Sequence, residues 1–228
     1  MKNNYTMTRK IINDADALLI TASNGLSIAE GYHIFADNED FKSYFGTYRE
    51  KYGIDCLIRG VFTPMFLTDK ESYMHTVHKY LIDDYTPRET MKNLLNLVIN
   101  KDYFVLTSNG DTHFQLCGFH PDKIFEIEGN FDGLEEMSSE WQMQQHRFQQ
   151  FLSKHKDKKL VLLELGIGAQ NQIIKAPTMK LVEEHKNWFF ITLNMAGQIN
   201  ILDSIKHRSI TIKGDISDSL KHLLTTEL

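Results

Sequence analysis

Cysteine is nearly absent: the 228 residues hold two, Cys56 and Cys117. That excludes a disulfide framework and a four-cysteine zinc site within one chain. Missing too is any block of lysine and arginine, and thirty acidic against twenty-five basic side chains leave a net charge near −5. A nucleic-acid partner is therefore not expected. No apolar run approaches bilayer length: the longest, around 160–169, is too short and contains Glu164, so no membrane partner is expected either. The first ten residues lack the apolar stretch of a signal peptide. Linkers, repeats and low-complexity segments are also lacking, which favours a single domain over 1–228. With 42% hydrophobic residues, the expectation is a cytoplasmic protein with a proper core.

Apolar runs of strand length recur at 17–20, 103–106, 124–127, 160–165, 188–193 and 209–212. Most are apolar nearly throughout, as strands buried on both faces should be. Helical patterns lie between many of them. Thr68 and Glu71 have capping-box spacing, ahead of a stripe of Tyr73, Val77, Tyr80 and Leu81. Pro87 suits the start of the next helix, which carries Met91, Leu94, Leu95 and Val98 on one face. Ser138 or Ser139 suits the cap of a helix from Glu140 to about Lys154, and Asp215 or Ser217 the start of a C-terminal one. Such alternation predicts an α/β fold: a Rossmann-like, doubly wound parallel sheet of about six strands. Residues 35–100 read as a small helical module standing beside it.

Open parallel sheets place ligands outside the carboxyl ends of their strands. The turn after the first run holds Ala22, Ser23, Asn24, Gly25 and Ser27, small residues that let backbone N–H groups approach a pyrophosphate. Many turns of this kind bind nothing. After the second run come Thr107, Ser108, Asn109, Gly110 and Asp111, polar groups placed to point into a cleft. Asp111 also suits a cap for the helix holding Phe114 and Leu116, and the two roles are compatible. Glu128 ends the third run as a candidate base or cation stabiliser, or as a solvated loop carboxylate. His75 and His78 lie three apart without a third ligand and read as a solvated helix face; no metal site is expected. Cys117 reads as core.

The three strings together resemble the sirtuin family. Gly166 and Gly168 are similar to its phosphate- and ribose-side glycine turn. Asn194, and then Gly214, Asp215 and Ile216, are similar to its adenosine-side segments. The resemblance implies NAD as cosubstrate. Its nearest sub-group is the class M, macrodomain-linked microbial sirtuins, echoed by Asp14, Ala15, Asp16 and Ala17, by Gly25, Leu26 and Ser27, and by the aromatic-rich segment 41–52. Members of that group are protein ADP-ribosyltransferases acting on lipoyl-carrier proteins. Asn109, Asp111 and Ser27 carry over by position.

Four departures accompany the resemblance, the first being that the deacylases' Asp-Phe-Arg cofactor loop is absent near Ile34, Phe35 and Ala36. Ser23, Asn24 and Gly25 stand where sirtuins have glycine, alanine and glycine. Glu128 stands where the deacylases have their catalytic histidine. Residues 129–158 contain no cysteine and replace the zinc-binding insert with a helix around 141–151, so the resemblance implies a zinc-free chain. Deacylation is thereby disfavoured, since a glutamate replaces imidazole as base only when its environment raises its pKa. Asn109, Asp111 and Glu128 are then the catalytic candidates of an NAD-dependent ADP-ribosyltransferase, Asp111 and Glu128 stabilising positive charge on the ribose. The alternative is a catalytically silent protein that binds NAD or ADP-ribose on the same frame. An NAD glycohydrolase, with water as acceptor, is a third reading.

Overall fold

Residues 2–226 are described by the structure, a computed structural model. Residues 1, 227 and 228, which the single-domain reading includes, lie outside the described residues. Six strands, β1 (Ala17–Ala22), β2 (Asp102–Thr107), β3 (Ile124–Glu126), β4 (Leu160–Leu165), β5 (Trp188–Asn194) and β6 (Ser209–Lys213), pair in parallel in the order β3-β2-β1-β4-β5-β6. This is the expected doubly wound sheet. β1 and β4 are buried at all six positions, which is why their sequences do not alternate.

One face carries Leu18, Ile20, Val161 and Ile191 against α1 (Lys2–Asp14), α6 (Glu89–Val98) and α10 (Ile216–Thr225). The other carries Leu19, Leu162, Trp188 and Phe190 against α8 (Ser139–His155) and α9 (Lys175–Glu184). Each fully buried leucine or isoleucine contributes roughly 1.5–3 kcal/mol. Ser138 caps α8, accepting from the Trp141 N–H at 3.3 Å, and Asp215 caps α10, accepting from Asp218 N–H at 3.0 Å.

Between β1 and β2 the chain forms α2 (Asn24–Ala29), α3 (Glu39–Tyr52), α4 (Leu57–Phe62), α5 (Leu67–His78), a π-helical turn at Lys79–Asp83, and α6. Phe41, Phe45, Tyr73, Val77, Tyr80 and Leu81 give this region a core of its own. α6 does not share it: Met91, Leu94 and Val98 pack into the sheet's first face.

Local signals went astray in three places. No capping box forms at Thr68, because α5 begins at Leu67 and Thr68 falls inside its first turn. Pro87 does not open α6, whose N-cap is Arg88. Its first amides are satisfied from elsewhere: the Glu30 carboxylate accepts from Arg88 N–H at 2.6 Å and Met91 N–H at 3.2 Å. β3 ends at Glu126, two residues before Glu128. The backbone turns there on Gly129, which sits at φ +72° and donates to the Glu126 carbonyl at 3.1 Å.

Candidate functional site

β1 and β4 lie side by side, yet the chain leaves them toward opposite halves of the sheet. That switch point opens a crevice at the carboxyl ends. It is occupied by a cleft of about 840 Å³. Four strand ends wall it: Ser23, Asn24 and Gly25 after β1, Gly166 and Gly168 after β4, Asn194 as the last residue of β5, and Gly214, Asp215 and Ile216 after β6. Nine of the sequence-predicted binding residues thus meet around one cavity. Ala22 does not line it; it is buried at the end of β1, its carbonyl accepting from Ser108 N–H at 3.3 Å. Thr107 is buried as well, its hydroxyl accepting from Asn109 N–H at 3.0 Å.

Gly25 and Gly166 are glycines for a reason of packing. A Cβ on Gly25 would stand 2.5 Å from the Gly166 carbonyl oxygen, and one on Gly166, at φ +62°, 2.5 Å from the Gly25 carbonyl carbon. Their backbones touch, and Gly25 N–H donates to the Gly166 carbonyl at 3.0 Å. This corrects one expectation: the Gly25 amide joins two turns instead of facing a phosphate. Ser23 is likewise engaged, its hydroxyl accepting from the Ser108 hydroxyl at 3.1 Å. Among the described residues lining the cleft, Asp215 is the one ionisable side chain. A diphosphate held here would be met by amides and hydroxyls, not by lysine or arginine.

Beside the cleft, Ser27, Asn109, Asp111 and His113 border a small interior space. Asn109 donates from its side-chain amide to the Ser23 carbonyl at 3.2 Å, while its Oδ1 is buried without a partner. Asp111 accepts from the Ser27 hydroxyl at 2.5 Å through Oδ2 and from His113 N–H at 3.1 Å through Oδ1. The carboxylate thus accepts from the first amide of α7 (His113–Leu116) while bordering this interior space. Between them Thr112 sits at φ +54°, a left-handed conformation rare for a β-branched residue. Such strain costs about 1–3 kcal/mol and persists only where the surroundings impose it.

Glu128 stands apart from this constellation, exposed in the turn beyond β3; partial burial and then Glu136 push its carboxyl up. The buried carboxylate of the segment is Glu126, 1% exposed, which accepts from the Asn130 amide at 2.9 Å. Desolvation raises its pKa, opposed by hydrogen bonds from Gln115, Asn130 and Gln144. His78 is also less free than expected, reaching Asp132 at 3.1 Å and Asp83 at 3.3 Å. Cys117 packs against the sheet's first face, and burial pushes its thiol up to about 11. No group of three or more His, Cys, Asp or Glu side chains suited to a metal occurs among the described residues. No helix among them is long and apolar enough to cross a membrane.

Sequence reasoning missed Gln198 and its support. Gln198 lines the cleft, its side-chain carbonyl accepting from Ala169 N–H at 3.1 Å. Its backbone carbonyl accepts from Lys175, which enters from the first turn of α9 and pairs with Glu164 of β4 at 2.9 Å. Asn171 starts that helix by accepting from the amides of Ile173, Ile174 and Lys175. Asn171, three residues before the Ile174 N-cap, suits a turn leading into the helix; nothing local announced the ion pair.

No protein-family model matches the chain. A protein ADP-ribosyltransferase of Staphylococcus aureus is 23% identical to it over 278 aligned positions, covering 96% of this chain and 85% of the relative. Among solved structures, a sirtuin determined for the structural basis of substrate affinity superposes with a TM-score of 0.61 at 12% identity, covering 96% of this chain and 97% of that one. A Sir2 enzyme aligns over 100% of both chains at 13% identity and a TM-score of 0.57. Another, solved with an inhibitor, 2′-O-acetyl-ADP-ribose and a deacetylated peptide, gives 0.54 at 11% identity, with 96% and 97% coverage. With its six parallel strands, its helical module and a cleft at the switch point, this chain has the sirtuin fold.

Proposed function

We propose that this protein is a sirtuin-type, NAD-dependent protein ADP-ribosyltransferase. One observation carries the reading: the unpartnered Oδ1 of buried Asn109 and the carboxylate of Asp111 stand together beside a cleft of dinucleotide size. A buried acceptor without a donor costs about 1–3 kcal/mol, a cost that a ligand's amide or hydroxyl removes. The name of the Staphylococcus relative supports the same chemistry. NAD is the cosubstrate that this reading requires.

Each residue then has a task. The turns holding Ser23, Asn24, Gly166 and Gly168 receive the diphosphate, and Asn194, Gly214 and Asp215 receive the adenosine half. Asn109 orients the nicotinamide ribose. As the bond between nicotinamide and ribose breaks, its electron pair leaves with nicotinamide and positive charge develops on the ribose. Asp111 stabilises that charge electrostatically. The acceptor side chain then bonds to the same carbon and gives up its proton. The resemblance to class M sirtuins points to a lipoyl-carrier protein as acceptor. Glu128, exposed at the turn, serves as a base only if an acceptor covers it, which favours transfer over unassisted hydrolysis. That exposure also favours the second reading, an NAD- or ADP-ribose-binding protein without turnover.

The test is calorimetric titration with NAD followed by an assay of released nicotinamide, with and without candidate acceptors. Saturable heat with nicotinamide release, reduced at least about tenfold in Asn109→Ala, is expected. Release that Asn109→Ala leaves unchanged would remove this loop from catalysis. Heat without release under any condition would leave the silent binding protein.

A further inference from the structure

We infer that the groove behind the Asn109–Asp111 loop is a docking site for an arginine side chain of the acceptor protein, its guanidinium meeting the Glu126 carboxylate. That the partner is the acceptor rests on the functional reading above; the groove does not depend on it.

The groove, of about 460 Å³, lies at the β3 edge of the sheet, between the turn that follows β3 and the start of α8. Three carboxylates line it, Glu126, Asp132 and Glu140, and no lysine or arginine does so among the described residues. The sequence is one-sided here: six acidic residues and no lysine or arginine stand between Lys123 and Arg147. Two of the three lining carboxylates are met from outside the groove, Asp132 by His78 at 3.1 Å and Glu140 by Arg147 at 3.2 Å. Glu126 has no such neighbour. Its Oε2 accepts from the Asn130 amide, while its Oε1 is buried without a partner. Gln115 stands near enough to favour the carboxylate, yet no donor comes within hydrogen-bond distance of Oε1. An acceptor taken out of water and given no donor costs free energy that a ligand's N–H recovers.

The groove is short of donors and positive charge, and that selects the ligand. Its carboxylates repel an anion. A guanidinium is planar and weakly hydrated, and carries five donors in a fork that matches a carboxylate; an ammonium is a strongly hydrated point charge that loses more on entering. The carboxylate's backbone is fixed to receive it, since Glu126 N–H donates to the Gln144 side chain at 2.9 Å.

The groove also adjoins the loop of the proposed chemistry. Phe131 N–H donates to the Gly110 carbonyl at 2.8 Å, and a Cβ on Gly110 would stand 3.2 Å from the Asn130 Cα. An acceptor anchored here by one arginine lies against the loop that holds Asn109 and Asp111. The surrounding acidic turn draws a basic segment toward it and disfavours an acidic one.

The test is titration of the nitrogen-15-labelled protein with the peptide Ac-Gly-Arg-Gly-NH2 at pH 7, followed through the Glu126 backbone amide and the Asn130 and Gln144 side-chain amides. Saturable shifts centred on these groups are expected, and none with the same peptide carrying uncharged citrulline. Glu126→Gln keeps an oxygen for Asn130 but should weaken binding about tenfold or more. Glu140→Gln, at an exposed and already paired position, should weaken it about twofold or less. Equal weakening in both variants, equal shifts with citrulline, or no saturable shift overturns the inference. If Glu126→Gln fails to fold, arginine against citrulline on the wild type decides. NAD takes no part in this titration, so a protein that releases no nicotinamide refutes the functional reading and leaves the groove to these shifts. With an acceptor identified by the nicotinamide assay, the arginine peptide should inhibit transfer to it and the citrulline peptide should not. Transfer indifferent to the arginine peptide overturns the assignment of the groove to the acceptor.

Discussion

Lys175→Met is the sharpest perturbation the core offers. Lys175 is 1% exposed and Glu164 is fully buried; they pair at 2.9 Å, and Thr192 donates to the same Glu164 oxygen at 2.8 Å. The other oxygen, Oε2, has no partner. Desolvation raises the Glu164 carboxyl even against the attraction of Lys175. A carboxyl raised on folding binds more protons folded than unfolded, so its contribution to stability falls as pH rises above the ordinary glutamate range. Ionising Glu164 is therefore costlier in the folded chain than in the unfolded one, and the charge it carries depends on Lys175. Removing Lys175 alone strands a buried charge, at about 3–5 kcal/mol. For a chain of this length that lowers Tm by roughly 6–20 °C.

The double variant Glu164→Leu with Lys175→Met removes both charges. It forfeits the acceptor of Thr192, about 1 kcal/mol, yet should recover at least about 2 kcal/mol over Lys175→Met. Urea melts at pH 5 and pH 7.5 measure both effects. Lys175→Met should be more stable at the lower pH, and the double variant should lose that dependence. A Lys175→Met protein as stable as wild type at pH 7.5, or a double variant no better than the single, would refute this accounting. Both variants also release the Gln198 carbonyl from Lys175. Each should bind NAD about threefold to tenfold more weakly, the worth of about one net hydrogen bond.

Gly166→Ala forces a Cβ into the Gly25 backbone and a side chain into the left-handed region. About 2–5 kcal/mol of stability should be lost by denaturant titration, and a loss below about 1 kcal/mol would contradict the close contact of the two turns. Glu126→Gln removes a buried carboxyl whose raised pKa makes ionisation costly in the folded state. The variant should gain on the wild type as pH rises from 4 to 8, with the gap closing at the acid end; melts showing the reverse order would refute the sign.

What the sequence made legible is what short windows encode. Strands buried on both faces announce themselves as unbroken apolar runs, and Ser138 and Asp215 cap helices that begin one residue later. The turn after β1 was legible because small residues follow a buried strand, whereas those after β4, β5 and β6 were reached through the family resemblance. Long-range partners leave no such trace. Glu30 caps α6 from 58 residues away, His113 reaches a carbonyl 32 residues away, and the Gly25 amide meets Gly166. Each of these groups looks ordinary in its own window; only the fold brings its partner.

Glu126 and Glu128 show why the choice of a catalytic residue is harder than the choice of a fold. Two residues apart, they would share a face if the strand continued through both. β3 ends at Glu126, because Gly129 turns the backbone and Asn130 takes up the Glu126 carboxylate. One carboxylate is thereby sealed in and raised, while the other is left at the surface. The same dependence reaches Asp111, whose neighbour Thr112 is held in the left-handed region while its oxygens are fixed by Ser27 and the His113 amide. Ser27 of α2 thus fixes one oxygen of Asp111, and the residue whose N–H fixes the other, His113, reaches the Leu81 carbonyl of the π-helical turn.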